Sequence, residues 1–250
     1  TGTVESRQVT FPFRRILETT NIVFQMATVE KIDPHKRLVY TTATADSRVA
    51  SEVGYDYLVL CPGSTTQTFG TPGVTEHAMF MRELADAMAV RDRVIGFFEQ
   101  AATMSSREAK EELLRFVIVG AGPTGIEVAT ELHDLIYHVL LNRYPEVDAS
   151  LVDIVVVQSG EQILPGWDAG VVALAQRQLA TLRIRLILNA RVAAVGADTV
   201  VIKTGAESQT LRSRTCIWCA GVQPSPLLQH VGLTLDKSGR ASIHDDLRAV

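Results

Sequence analysis

At 250 residues and 27.3 kDa the chain has room for one large domain or two small ones, at about 150 residues per domain. Hydrophobic residues at 46% and charged residues at 21% exclude disorder as the main state, and a net charge of -4 argues against a nucleic-acid partner. Cys 3 in the whole sequence excludes a disulfide framework, and the charge-free windows 57–75 and 215–235 hold too many Gly, Pro, Gln and Ser or Thr residues for a lipid-facing helix.

The sequence starts at Thr1 without Met and runs into Val250 with no terminating helix, so it reads as an internal piece of a longer protein. Apolar runs at 22–29 and 37–40 flank the turn signal Asp33-Pro34 and predict a β-meander. Its third strand is expected at Tyr55-Asp56-Tyr57-Leu58-Val59-Leu60, broken by Cys61-Pro62-Gly63-Ser64 before a polar loop through Pro72-Gly73. Over 79–102 the helical spacing of Leu84, Met88, Val94, Ile95, Phe98 and Ala101 predicts an amphipathic connector helix. A charged bridge at 105–112, read as a serine-capped helix start, then marks a domain boundary.

Beyond it the pattern alternates: strand Phe116-Val117-Ile118-Val119, helix 126–141, strand 152–157, helix 168–182, strand 184–188. Fully apolar strands separated by helices predict an α/β fold with a parallel sheet covered on both faces. Short runs at 191–195 and 199–203 suggest a small antiparallel excursion, and Cys216-Ile217-Trp218-Cys219 returns as a buried strand ending at Ala220-Gly221.

Gly120-Ala121-Gly122-Pro123-Thr124-Gly125 fits G-x-G-x-x-G, and it follows an apolar strand and opens a helix, which is the context this pattern needs. The first glycine permits the tight turn, the second lets the backbone approach a pyrophosphate, and the third lets helix and strand pack closely. The helix N-terminus adds free N–H groups and a positive dipole, so the expected ligand is a dinucleotide. At the end of the next strand, where an Asp or Glu often accepts the ribose hydroxyls of NAD, stands Gln158, followed by Ser159 and Gly160. A neutral amide can donate to a 2′-phosphate that a carboxylate would repel, so NADPH is expected beside NADH; the other reading of Gln158 is a loop cap.

Glu127 ends the stretch Thr124-Gly125-Ile126-Glu127, which also fits a capping box; cap and functional acid both stand at this point. His133 and His138 lack metal-ligand spacing and read as surface or packing residues, with no metal expected. Cys216 and Cys219 are separated as i and i+3 in a strand, so they point to opposite faces and read as core.

Taken together, 55–63 with Pro62-Gly63, Phe69-Gly70-Thr71-Pro72-Gly73-Val74, the 120–127 turn with Glu131-Leu132-His133-Asp134, and Trp218-Cys219-Ala220-Gly221 resemble the two-dinucleotide-domain flavoprotein oxidoreductases, and among them the type II NADH dehydrogenases. The resemblance runs from Gly2-Thr3-Val4-Glu5 to Asp245-Asp246-Leu247-Arg248. It implies two Rossmann-like domains: 1–78 and 223–250 as parts of an FAD-binding domain, and 79–222 as an inserted NAD(P)H-binding domain. Implied cofactor contacts are Gly120, Gly122, Pro123, Thr124, Gly125, Gln158 and Gly160, with Pro62, Gly63, Ala220 and Gly221; Glu127 matches a family glutamate beside nicotinamide and flavin.

The implied activity is hydride transfer from NADH or NADPH to FAD, with electrons passed to a membrane quinone in a respiratory chain without proton pumping. The family's N-terminal flavin-binding glycine motif, its downstream Gly-Asp contact and its C-terminal quinone-contacting segment are not in this sequence, so the piece alone is expected to be inactive. Attachment would be peripheral, at a mitochondrial inner membrane or bacterial plasma membrane, and a homodimer is compatible. Gln158 departs from the acidic residue common in the family, which puts strict NADH preference in question. An FAD-dependent disulfide reductase and a non-enzymatic NAD(P)H-binding redox sensor are the alternatives.

Overall fold

The computed structural model describes residues 6–43 and 51–249. The resemblance at Gly2-Thr3-Val4-Glu5 lies outside them. The chain divides into two compact units, one built on Thr68–Gly221 and the other on Thr10–Gln67 with Val222–Val250.

In the latter unit, β1 (Ala27–Asp33), β2 (Leu38–Ala43) and β3 (Ser51–Gly54) form an antiparallel meander in that order. The β1–β2 turn is held by the Asp33 carboxylate, which accepts the Lys36 backbone N–H at 3.0 Å. The third strand therefore lies upstream of where the sequence puts it. Residues 55–60 are not strand, and Tyr57 and Val59 are 95% and 85% exposed. An alternating apolar run makes a strand only where a neighbour supplies the ladder, and β2 is already paired on both sides by β1 and β3. The strand β4 (Ser64–Thr66) pairs antiparallel with Val222–Pro224.

The Thr68–Gly221 unit holds a five-stranded parallel sheet. Its strands are β5 (Met79–Phe80), β6 (Arg115–Val119), β7 (Asp153–Val157), β8 (Arg185–Ile187) and β12 (Thr215–Trp218), in the order β5-β12-β6-β7-β8. Side chains alternate between two apolar layers, as a strand period of two requires. Phe116, Ile118, Ile154, Val156 and Ile217 face one layer, while Val117, Val119, Val155, Val157 and Trp218 face the other. Both faces are covered, which is why these strands contain so few polar residues.

The first layer is closed by α1 (Leu84–Thr103), α3 (Pro123–Asp134) and α4 (Ala169–Thr181). Met79 and Phe80 belong to the sheet, so the connector helix begins later than its spacing predicts; its buried stripe is Val90, Val94, Phe98 and Ala101, with Leu84 and Met88 at the partly exposed margin. The short α2 (Arg107–Leu113) starts at Ser106, whose hydroxyl accepts the Ala109 N–H at 3.2 Å. Asp168 caps α4 through the Gly170 N–H at 2.8 Å. The helix begun at Pro123 continues from Leu135 to Leu140 as a π-turn, which shifts its register by one residue.

On the opposite face lies an antiparallel excursion of β9 (Ala190–Val195), β10 (Thr199–Thr204) and β11 (Glu207–Arg212). Val192, Val195, Val200, Ile202 and Leu211 turn inward to complete the second layer.

Candidate functional site

Open parallel sheets bind ligands beyond the carboxyl ends of their strands, and here that edge carries the glycine turn. Gly120 follows β6 with a φ of 101°, a conformation closed to most side chains. Its N–H donates to the Val157 carbonyl at 2.8 Å, and a Cβ there would lie 2.9 Å from the Ala220 backbone. Gly125 is tighter still, since a Cβ would sit 1.8 Å from the Gly120 carbonyl oxygen. Gly122 differs from both. A Cβ on it would meet nothing within 4 Å, so its missing side chain leaves open space where a ligand can approach the backbone.

Gly122 is the N-cap of α3 and Pro123 its first residue. The first intrahelical bond runs from the Ile126 N–H to the Gly122 carbonyl at 3.1 Å, which leaves the Thr124 and Gly125 N–H groups without helical partners. Thr124 thus sits inside the first turn and cannot cap it, so the capping box does not form. Glu127 is exposed, and its carboxylate makes no hydrogen bond among the described residues.

Gln158 extends β7 toward the turn. Its side-chain oxygen accepts the Ala121 N–H at 3.0 Å, tying the strand end to the glycine loop. Its main chain is clamped as well: its N–H donates to the Ile187 carbonyl and its carbonyl accepts the Ala190 N–H, both at 2.9 Å. Gly160 accepts the Asn189 N–H at 2.9 Å. A cavity of about 400 Å³ opens at this edge, lined by Gly120, Gln158, Ser159, Trp218 and Ala220 together with Arg191. A neighbouring cavity of about 410 Å³ shares Ser159 and Arg191 and adds Asn189 and Lys203. Phe69 and Thr71 complete the first. Sequence reasoning passed over Arg191 and Lys203, because single cations in short strands look like ordinary solvent-facing residues.

These features fit a pyridine dinucleotide: free N–H groups for a pyrophosphate, a glycine that admits it, and a cavity of a size that holds a nucleoside. Two further charge clusters belong to the architecture. Asp153 is bound by Arg115 at 2.8 Å and Arg185 at 2.7 Å; burial pushes its carboxyl up, but the two guanidiniums outweigh burial and hold it below the ordinary value of 3.8. Glu112, bound by Arg214 and Arg212 at 2.7 Å each, is held below 4.5. Asp153 begins β7 and so lies at the edge of the sheet away from the cavity.

One turn along the same helix, His138 lies 3.6 Å from Asp134, which also lies 3.3 Å from His133. All three ligand atoms are within 4.8 Å of one another, a spacing able to hold a metal that the sequence does not announce. His133 is buried and stacked on Tyr137 at 4.5 Å. Cys216 faces the layer with the β9–β11 excursion and Cys219 packs on the helical layer, so they do not converge. Burial pushes both thiols up to about 12, which leaves neither as a thiolate at neutral pH.

In the Thr10–Gln67 and Val222–Val250 unit, Pro62 and Gly63 are exposed ahead of β4, and Gly63 has a φ of 66°. The helices described there, Phe13–Leu17 and Pro226–His230, are preceded by Pro12 and Ser225. Neither is opened by a glycine turn, so the described residues of this unit provide no pyrophosphate cradle of the kind seen at Gly122.

Comparison with known proteins follows the same line. The family described as "Pyridine nucleotide-disulphide oxidoreductase" matches residues 4–250. The chain is 35% identical over 237 residues to an external alternative NAD(P)H-ubiquinone oxidoreductase B1, mitochondrial, of Solanum tuberosum, covering 91% of this chain and 41% of that protein. It is 32% identical over 248 residues to a probable NADH dehydrogenase of Dictyostelium discoideum, covering 99% and 54%. A solved structure of NDH2 from Plasmodium falciparum in complex with NADH superposes with a TM-score of 0.76 at 24% identity, covering 86% of this chain and 44% of that one, and so shares the fold. The chain spans about half or less of the length of these relatives.

Proposed function

This chain belongs to the pyridine nucleotide-disulphide oxidoreductase family, and from that premise we propose that its protein is an FAD-dependent NAD(P)H:quinone oxidoreductase of the type II NADH dehydrogenase kind. The observation that carries the reading is the glycine-opened N-terminus of α3 beside a nucleoside-sized cavity. Support comes from the NAD(P)H-ubiquinone oxidoreductase relative at 35% identity. The chemistry a bound nicotinamide supplies is hydride donation to the flavin, from which two electrons go on to a membrane quinone without proton pumping.

The chain's own part is to bind and orient. The Thr124 and Gly125 N–H groups and the α3 dipole hold the pyrophosphate, and Gly122 gives it access to the backbone. Gln158 fixes the turn through Ala121, so the N–H groups are aimed before the ligand arrives. Glu127, one turn into α3 and free of any cap, would orient the nicotinamide or handle the proton that the flavin takes up alongside the hydride. Pro123 presets the first helical φ. Gly160 anchors the loop that follows Gln158, while Ala220 and Gly221, and separately Pro62 and Gly63, are further cofactor contacts. An FAD-binding role for the unit 10–67 with 222–250, and an NAD(P)H-binding role for 68–221, belong to the same proposal; Phe69 and Thr71 line the dinucleotide cavity, so the proposed boundary lies ahead of them rather than at 78. No helix among the described residues is long and apolar enough to cross a membrane; the proposed attachment is peripheral, to a mitochondrial inner membrane or a bacterial plasma membrane.

Steady-state oxidation of NADH and NADPH by the full-length, FAD-loaded protein with a short-chain quinone tests this. Rapid quinone reduction is expected, with Glu127→Gln lowering kcat by about 10–100-fold while NADH binding is kept. Negligible quinone turnover in the wild type would sink the proposal and favour a disulfide reductase or a redox sensor.

A further inference from the structure

Arg191 on β9 and Lys203 on β10 stand directly opposite each other in the antiparallel register. Like charges in that arrangement disfavour a sheet; both residues are exposed, so solvent screens part of the repulsion, and an anion shared between them would relieve the rest. None is supplied by the protein: neither cation makes an ion pair among the described residues. Both line the cavity of about 410 Å³, which Ser159 and Asn189 also line and which has no Asp or Glu in its lining. Arg191 reaches the dinucleotide cavity too, and that one likewise has no carboxylate in its lining.

The position of this pair along the sheet identifies the anion. In a glycine-turn dinucleotide site the adenosine ribose lies at the end of the second strand, where an acid accepts its 2′-hydroxyl or an arginine receives a 2′-phosphate. Here that place is the end of β7 at Gln158-Ser159, and the main-chain bonds to Ile187, Asn189 and Ala190 fix it against the strand that carries Arg191. The Gln158 oxygen is committed to the Ala121 N–H, so the amide serves first to hold the turn. We propose that Arg191 and Lys203, with Ser159 and Asn189, form a receptor for the 2′-phosphate of NADPH, resting on the dinucleotide reading above. A phosphomonoester carries about −1.5 to −2 charges near pH 7 and offers three acceptor oxygens, enough to satisfy two cations and two neutral donors at once.

Calorimetric titration of the full-length protein with adenosine 2′,5′-bisphosphate, adenosine 5′-monophosphate, NADH and inorganic phosphate tests this. The bisphosphate should bind at least about tenfold more tightly than the monophosphate, since hydrogen bonds to charged groups carry that much discrimination. Lys203→Gln, which lies outside the dinucleotide cavity, should remove most of that preference while the affinities for the monophosphate and NADH stay within about twofold; Arg191→Gln should weaken the bisphosphate more than the monophosphate, and the double variant should abolish the preference. Arg191→Lys should retain part of the preference. Because the opposed charges are relieved, the unliganded Tm of Arg191→Gln should equal or exceed that of the wild type. Equal wild-type affinity for both nucleotides, undiminished preference in the double variant, or inorganic phosphate binding as tightly as the bisphosphate would each overturn the receptor while leaving the dinucleotide site intact. Failure of the wild type to bind NADH and both nucleotides would overturn the dinucleotide reading itself, and the receptor with it.

Discussion

Gly122 and Gly125 lie in one turn yet do different work, and a single methyl group separates them. At Gly125 the added carbon would collide with the Gly120 carbonyl at 1.8 Å, so Gly125→Ala must push α3 away from β6. At Gly122 it would meet no protein atom within 4 Å, and only a ligand would feel it. Thermal denaturation should therefore find Gly122→Ala within about 2 °C of wild type and Gly125→Ala lower by roughly 5 °C or more, the scale of a few kcal/mol in a domain of this size. NADH binding should fall at least tenfold in both. Equal Tm losses would contradict the division of labour. The sequence makes the glycines legible because strand, spacing and helix coincide. It leaves Arg191 and Lys203 illegible because their meaning depends on a cross-strand register and a shared cavity, neither of which is local in the chain.

At the scale of elements, the parallel strands β6, β7 and β12 could be read directly because burial on both faces removes polar residues from them. Where burial is one-sided or absent the reading fails. The strand β11 carries Glu207, Ser208, Gln209 and Thr210 with only Leu211 buried, so nothing apolar announces it. Residues 55–60 show the reverse, an apolar run whose strand lies upstream at Ser51–Gly54. The edge of the sheet remote from the cavity is pinned by Asp153 between Arg115 and Arg185. Its folded carboxyl is held below 3.8, so its stabilising contribution is fully present above that ordinary value and is lost as the pH falls through the lower folded one. Asp153→Asn should lower Tm by about 2–6 °C at pH 7, with the gap to wild type closing as the pH drops below the carboxylate range. A gap that persists unchanged at pH 2.5 would assign the loss to packing rather than charge.

For the molecule as a whole, both apolar layers and every residue lining the two cavities fall between Thr68 and Gly221. None of those residues belongs to the β-meander of the other unit. The family resemblance reached beyond what strand and helix patterns alone provide, because it joined stretches far apart in the chain. The pyridine dinucleotide site proposed here lies complete within this unit, and titration of the isolated segment 68–221 with NADH, followed by calorimetry, is the direct test. A cooperatively folded segment that binds one NADH with an affinity close to that of the full-length protein is expected. A folded segment that leaves NADH unbound while the full-length protein binds it would show that the site needs residues outside 68–221.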